Sequence, residues 1–107
     1  MENKKSTKNN LVDGIYNNLT NSKLEKQDIL NVVDLFLDEV KKSLKEGKTI
    51  ELRGFGTFEL RLRKGKSSAR NPKTGQIVKV EPHYVAAFRS GQELKQKLWD
   101  IPVESDN

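Results

Sequence analysis

The sequence predicts an α+β fold, and three observations carry that prediction. Apolar residues repeat at helical spacing as far as Leu44, and from Ile50 onward they alternate with polar ones as in a strand. The stretch from Arg61 to Lys79 holds seven basic residues and no acidic one, around a turn signal at Asn71-Pro72-Lys73-Thr74-Gly75. The second helical stretch carries more apolar surface than one short neighbouring helix can cover. A helical hairpin, a sheet and a protruding basic ribbon satisfy all three.

The elements follow in order. Thr7 is placed to cap a first helix through Leu11, Val12, Ile15 and Leu19, one narrow apolar stripe that Gly14 weakens. The polar stretch Thr20-Asn21-Ser22-Lys23 separates it from a stronger helix, about Glu25 to Glu46, built on Ile29, Val33, Phe36, Leu37, Val40 and Leu44. Glu25 and Asp28 near its start, Lys41, Lys42 and Lys45 near its end, and Gly47 just beyond match the helix dipole and a glycine stop. Leu30, Val32 and Leu35 widen its apolar face, so something else must pack there.

Two strands then form a hairpin. Ile50 and Leu52 alternate with Glu51 and Arg53, Gly54-Phe55-Gly56 turns the chain, and Phe58, Leu60 and Leu62 alternate with Glu59, Arg61 and Arg63. Beyond Leu62 the apolar half of the alternation stops while bases continue through Lys64, Lys66 and Arg70. In the turn that follows, Pro72 fixes one backbone angle and Gly75 is free to take a positive φ. A third strand returns through Ile77, Val78 and Val80, is interrupted at Pro82 where arm meets body, and resumes as Tyr84-Val85-Ala86-Ala87-Phe88. Ser90-Gly91-Gln92-Glu93 has the spacing of a capping box for a last short helix through Leu94, Leu98 and Trp99, ended by Ile101-Pro102. The reading is therefore a disordered basic extension over 1–6, a folded domain over 7–99 with an arm at about 61–81, and an acidic disordered tail over 100–107.

Composition narrows the function classes. A chain of 107 residues, 34% apolar and 33% charged, supports one domain that is lean enough to need a partner. Its 20 basic and 15 acidic residues are unevenly spread, since residues 49–98 alone hold eleven bases and four acids. Such a local field selects a polyanion. No cysteine is present, which excludes a disulfide scaffold and a thiolate metal site. No run approaches the roughly 18 apolar residues of a membrane span, and the polar first ten residues do not resemble a signal peptide. The expected location is the cytoplasm, with no membrane contact.

Enzyme readings fail on spacing. His83 is the single histidine and has no metal-ligand or triad partner, which makes it a surface or strand-edge residue. Gly65-Lys66-Ser67 lacks the first glycine of a phosphate-binding loop, because position 60 is Leu60. Gly54-Phe55-Gly56 lacks a third glycine at Glu59, and Asp34, Asp38 and Glu39 read as solvated helix surface. No catalytic residue, metal, cofactor or small-molecule substrate is expected. The basic ribbon is different: ten extended residues, 62–71, reach roughly 30 Å, enough to follow a groove. Arginine and lysine spaced along it would displace counterions from phosphates and bind with steep salt dependence. Pro72 reads either as a turn former or as a rigid wedge for a base step.

The motifs Gly54-Phe55-Gly56-Thr57-Phe58-Glu59, Arg70-Asn71-Pro72-Lys73-Thr74-Gly75 and Phe88-Arg89-Ser90-Gly91 resemble, in order and spacing, the bacterial HU and integration host factor family of DNA-bending proteins. The resemblance covers about residues 7–99. It implies an intertwined dimer with a helical base, a three-stranded antiparallel sheet and a long β-ribbon arm per subunit, whose arms wrap DNA through the minor groove. It makes Pro72 the intercalating wedge, and it places Arg61, Arg63, Lys64, Lys66, Arg70, Asn71, Lys73 and Lys79 on the arm facing DNA. Gly54, Gly56, Arg89 and Lys95 resemble the body's phosphate-contacting surface, to which Lys8 adds. Phe36, Phe55, Phe58 and Phe88 resemble the dimer core. From Phe58 to Arg70 the chain is one residue longer than many members of the family.

Arg53 resembles the body arginine that reads a minor groove in the site-selective branch of that family. Its alternatives are an ordinary surface pair with Glu51 and a guanidinium sensitive to groove width. The partners implied are double-stranded DNA and a second subunit, the same chain or a paralogue, in a nucleoid-associated protein serving recombination, replication or transcription. An RNA-binding or general anion-binding module is the alternative, disfavoured by the absence of aromatic residues from the arm.

Overall fold

The computed structural model describes residues 4–103. Three helices and five strands run in the order α1 (Lys8–Asn18), α2 (Lys26–Lys45), β1 (Ile50–Leu52), β2 (Gly56–Arg63), β3 (Lys66–Arg70), β4 (Ile77–Val80), β5 (His83–Ser90) and α3 (Gln92–Trp99). The first three residues of the basic extension and the last four of the acidic tail lie outside the described residues. The chain forms two compact units, α1 with α2 as far as Lys42 in one and Ser43–Trp99 in the other.

In the helical unit, Thr7 caps α1 as its position predicts. Its Oγ1 accepts the Asn10 N–H at 3.2 Å, and Asn10 Oδ1 accepts the Thr7 N–H at 2.9 Å, a reciprocal box in which asparagine takes the usual glutamate position. Thr7→Ala is expected to cost about 1 kcal/mol and to lower Tm by about 4–8 °C, measured by circular dichroism. Gly14 does not interrupt the helix. At the start of α2, Asp28 Oδ2 accepts the Glu25 N–H at 2.9 Å. The apolar stripes of the two helices bury Val12 and Ile29, the two buried apolar side chains among the described residues. The rest of the helical apolar surface is open: Val32 is 66%, Leu35 64% and Phe36 50% exposed.

The second unit begins where α2 ends. Gly47, at φ +81°, donates to Leu44 O at 2.9 Å, and Lys48 N–H donates to Ser43 O at 3.0 Å, the paired closure that a left-handed glycine allows. β1, β2 and β5 then form an antiparallel sheet in the order β1-β2-β5, with Ile50 opposite Phe58 and Phe58 opposite Phe88. Strand alternation divides this sheet into two faces. One carries Ile50, Leu52, Phe58, Leu60, Leu62, Tyr84, Ala86 and Phe88, the other Glu51, Thr57, Glu59, Arg61, Arg63, His83, Val85, Ala87 and Arg89. On the apolar face the Phe88 ring lies 5.1 Å from Phe55 and 4.9 Å from Phe58, centroid to centroid.

β3 and β4 form a separate two-stranded ribbon. The three-stranded sheet with a separate ribbon and the interruption at Pro82 match the sequence reading, whereas the outgoing strand, read there as continuing past Leu62, is divided into β2 and β3. The division falls at Lys64-Gly65 on one side and Glu81-Pro82 on the other, for a steric reason. Proline donates no ladder hydrogen bond, and any side chain at position 65 would overlap Val80 O and the Pro82 ring. Arg61 and Arg63 therefore stand on the body strand β2, opposite Val85 and His83. Within the ribbon Lys66 pairs with Val80 and Ala69 with Val78, so Ser67 and Ser68 together face Lys79. This bulge absorbs one extra residue of β3.

The capping box expected at Ser90 does not form. Ser90 stays in the β5 ladder opposite Gly56, and Gly91 becomes the cap residue, its carbonyl accepting from Lys95 N–H at 2.9 Å. Gly91 N–H in turn donates to Phe55 O at 2.9 Å, which ties the start of α3 to the β1–β2 turn.

Candidate nucleic-acid interface

The tip of the ribbon is held by its own hydrogen bonds. Asn71 N–H donates to Gln76 O, and Asn71 O accepts from Gly75 N–H, both at 2.7 Å. Asn71 Oδ1 accepts the Lys73 N–H at 2.9 Å, folding an Asx turn around Pro72, and Thr74 Oγ1 accepts the Gln76 N–H at 3.2 Å. Gly75 takes φ +73°, as the turn requires. With donors and acceptors satisfied inside the loop, the Pro72 ring is left exposed at the apex. Asn71 thus acts first on the loop's shape, through its carbonyl oxygen.

Along the ribbon and its base, Arg63, Lys64, Lys66, Arg70 and Lys73 are exposed, and none has a carboxylate partner within ion-pair distance among the described residues. Lys79 pairs with Glu81 at 3.2 Å, but both side chains are 71% exposed, so water and phosphate compete easily for the ammonium. The ribbon therefore offers a line of bases available to an anion, without acids between them.

On the charged face of the body sheet, Arg89 Nε donates to Glu59 Oε1 at 2.7 Å, and an Arg61 terminal nitrogen lies 3.9 Å from the same oxygen. Glu59, with its side chain 27% exposed, is the more enclosed partner. Held through Nε, the Arg89 guanidinium keeps its other edge for a phosphate. Arg53 and Gly54 occupy the β1–β2 turn, closed by Phe55 N–H donating to Leu52 O at 2.9 Å, with Gly54 at φ +82°. Arg53 is exposed, and the surface pair with Glu51 considered for it is not formed.

Three expected contact residues are placed differently from the rest. Gly56 is buried, and a side chain there would overlap the Phe88 ring and Arg89 O, so its part is close packing beneath the aromatic cluster. Lys8 opens α1 in the helical unit and is bound to Asp34 at 2.6 Å. Lys95 is exposed on α3, on the helix face shared with Gln92, Gln96 and Trp99. Sequence reasoning missed the Glu59–Arg89 pair, the Lys8–Asp34 pair and the steric role of Gly65. For the first, the two-residue alternation that put Glu59 and Arg61 on one face was a usable signal. The dimer-core aromatics are split between units, with Phe36 on α2 and Phe55, Phe58 and Phe88 around the sheet. Among the described residues no helix is long and apolar enough to cross a membrane, and no group of three or more His, Asp or Glu side chains could hold a metal ion.

Comparison with known proteins converges on one family. A family model described as bacterial DNA-binding protein matches residues 6–98. Integration host factor subunit alpha of Aliivibrio salmonicida is 41% identical over 81 residues, 76% of this chain and 82% of that protein. The same subunit of Vibrio atlanticus is 38% identical over 98 residues, covering 92% and 96% of the two chains. Among solved structures, a cocrystal of Anabaena HU with DNA is similar at a TM-score of 0.73 and 28% identity, over 90% of this chain and 100% of that one.

Proposed function

The chain belongs to the bacterial DNA-binding protein family of HU and integration host factor, architectural proteins and not enzymes, and from that premise we propose that it grips the minor groove of duplex DNA with paired ribbon arms and bends it by inserting Pro72. The observation that carries this reading is the ribbon itself. An acid-free line of exposed bases ends in an internally bonded loop with a proline at its apex, and both grip and wedge belong to one ribbon. Minor-groove intercalation by an apolar side chain is a known device of this architectural class, HU and integration host factor included.

Pairing of two subunits is supported by what one chain leaves uncovered. With two buried apolar side chains among the described residues, and Tyr84 at 66% and Phe88 at 40% exposure on the apolar sheet face, a single chain lacks an adequate core. A second copy supplies the missing cover, with Phe36, Phe55, Phe58 and Phe88 at the join. Residues 7–99 form the DNA-binding domain in this reading. Lys64, Lys66, Arg70, Lys73 and Lys79 contact phosphates along the arm, Arg61, Arg63, Gly54, Arg89 and Lys95 contact them on the body, and Arg53 reads the minor groove beside the β1–β2 turn. Lys8 joins them by exchanging Asp34 for a phosphate. Neither β3 nor β4 carries an aromatic residue on which single-stranded bases could stack, which favours duplex DNA over RNA.

Salt dependence tests the phosphate assignments. Replacing Arg61 and Arg63 by Ala should flatten the plot of log K against log salt by roughly 0.9 for each phosphate that is no longer neutralised. Fluorescence anisotropy on a labelled duplex at several salt concentrations reads the slope, and an unchanged slope would remove both arginines from the interface.

A further inference from the structure

We propose that His83 is a further phosphate-binding residue, one that makes DNA affinity depend on pH. The proposal rests on the DNA-binding reading above and adds a residue that charge and motif spacing did not single out. His83 opens β5 on the charged face of the body sheet, where the ribbon begins, and sits directly opposite Arg63 in the ladder. Arg61 is the next same-face residue along β2, so guanidiniums and imidazole share one exposed surface.

The ring's orientation follows from one hydrogen bond. Nδ1 lies 3.0 Å from Glu81 O, and a carbonyl oxygen can only accept, so Nδ1 carries the hydrogen. That leaves Nε2 as the nitrogen that gains or lacks a proton. Unprotonated, Nε2 is an acceptor and has nothing to offer a phosphate oxygen. Protonated, it is a charged donor of the kind that binds phosphate most strongly.

The charged groups on its face of the sheet are Arg63 and Arg61 on β2, and Lys64 follows just beyond the strand. On its own side stands Glu81, whose carboxylate is engaged by Lys79 at 3.2 Å. β5 is an edge strand of its sheet, so among the described residues no further strand of that sheet lies against His83. A duplex phosphate reaching Arg63 would therefore meet Nε2 beside it. Because the phosphate binds imidazolium better than imidazole, binding takes up a proton, and affinity must rise as pH falls.

The chain has one histidine, which makes the test clean. Duplex affinity is measured by anisotropy between pH 5.5 and 8.5 at constant ionic strength, for the full-length protein and for His83→Gln. The native protein should bind about three- to tenfold more tightly at the acidic end, within the tenfold per pH unit that uptake of one proton allows. His83→Gln should match it at pH 8.5 and lack most of the gain, while His83→Arg, a permanent cation, should bind tightly throughout. Subtracting the His83→Gln profile removes the contributions of other titrating groups, including the terminal amine. The same acid gain in His83→Gln as in the native protein would overturn the proposal. Absence of duplex binding by both proteins at every pH would instead overturn the DNA-binding reading on which it rests.

Discussion

Pro72→Ala is expected to leave duplex affinity within roughly tenfold of the native value while removing bend on the order of tens of degrees, the scale of intercalative kinks in architectural proteins. The two quantities separate because they come from different residues. Grip is supplied by bases spread from Arg61 on the body sheet to Lys79 on the ribbon, all of which remain. The wedge is one ring at an apex whose shape does not depend on it alone. Asn71 holds the loop through its main chain and through Oδ1 on Lys73 N–H, and Thr74 holds Gln76. Alanine at position 72 keeps those bonds and loses the rigid apolar surface that offsets the cost of unstacking a base step, a few kcal/mol. Energy transfer between dyes at the ends of a short duplex reads the bend directly, and affinity is measured on the same duplex. Equal transfer for the two proteins would sink the wedge role.

Local chemistry was legible in the sequence wherever it determined the outcome. Thr7, Gly47 and Gly75 act where their backbone and capping preferences put them, and the period change after Gly47 separates helices from strands within a residue or two. The misreadings are places where a local pattern competes with pairing across the chain. Ser90 has ideal cap spacing but is held in the ladder by Gly56, 34 positions earlier, so the cap passes to Gly91. The alternation of bases through Lys64 suggests an unbroken arm, yet Gly65 meets Val80 and Pro82 across the ribbon and the ladder divides there. The same holds at the interface. That Arg61 and Arg63 are basic and extended is readable, but Arg89 is bound to Glu59, thirty residues away, and Lys8 to Asp34 on the neighbouring helix. Those partners change what each residue must release before it can hold a phosphate. Charge composition locates the interface, and register determines which charges are free.

Gly56→Ala is expected to destabilise the fold more than any single loss of charge. Gly56 pairs with Leu52 on one side and with Ser90 on the other, so neither neighbouring strand can move away without breaking a ladder. A methyl group there would overlap Arg89 O, which is backbone, and the edge of Phe88, the ring shared by Phe55 and Phe58. Overpacking of this kind costs about 1–3 kcal/mol where neighbours can shift, and the backbone contact puts this site at the upper end. A stability of roughly 5–15 kcal/mol is typical of a native protein, so the loss is a large fraction of the whole. Displacement of Phe88 would also disturb the apolar face proposed to meet a second subunit, and the dimer content at a given protein concentration should fall. Urea denaturation followed at two protein concentrations, with dimer content read by sedimentation, measures both effects. Gly14→Ala is the control: it lies in α1, where an added methyl meets nothing, and it should raise stability by a few tenths to about 1 kcal/mol. If Gly56→Ala were as well tolerated as Gly14→Ala, the close packing of Phe88 over the β1–β2 turn would not be what holds the sheet together.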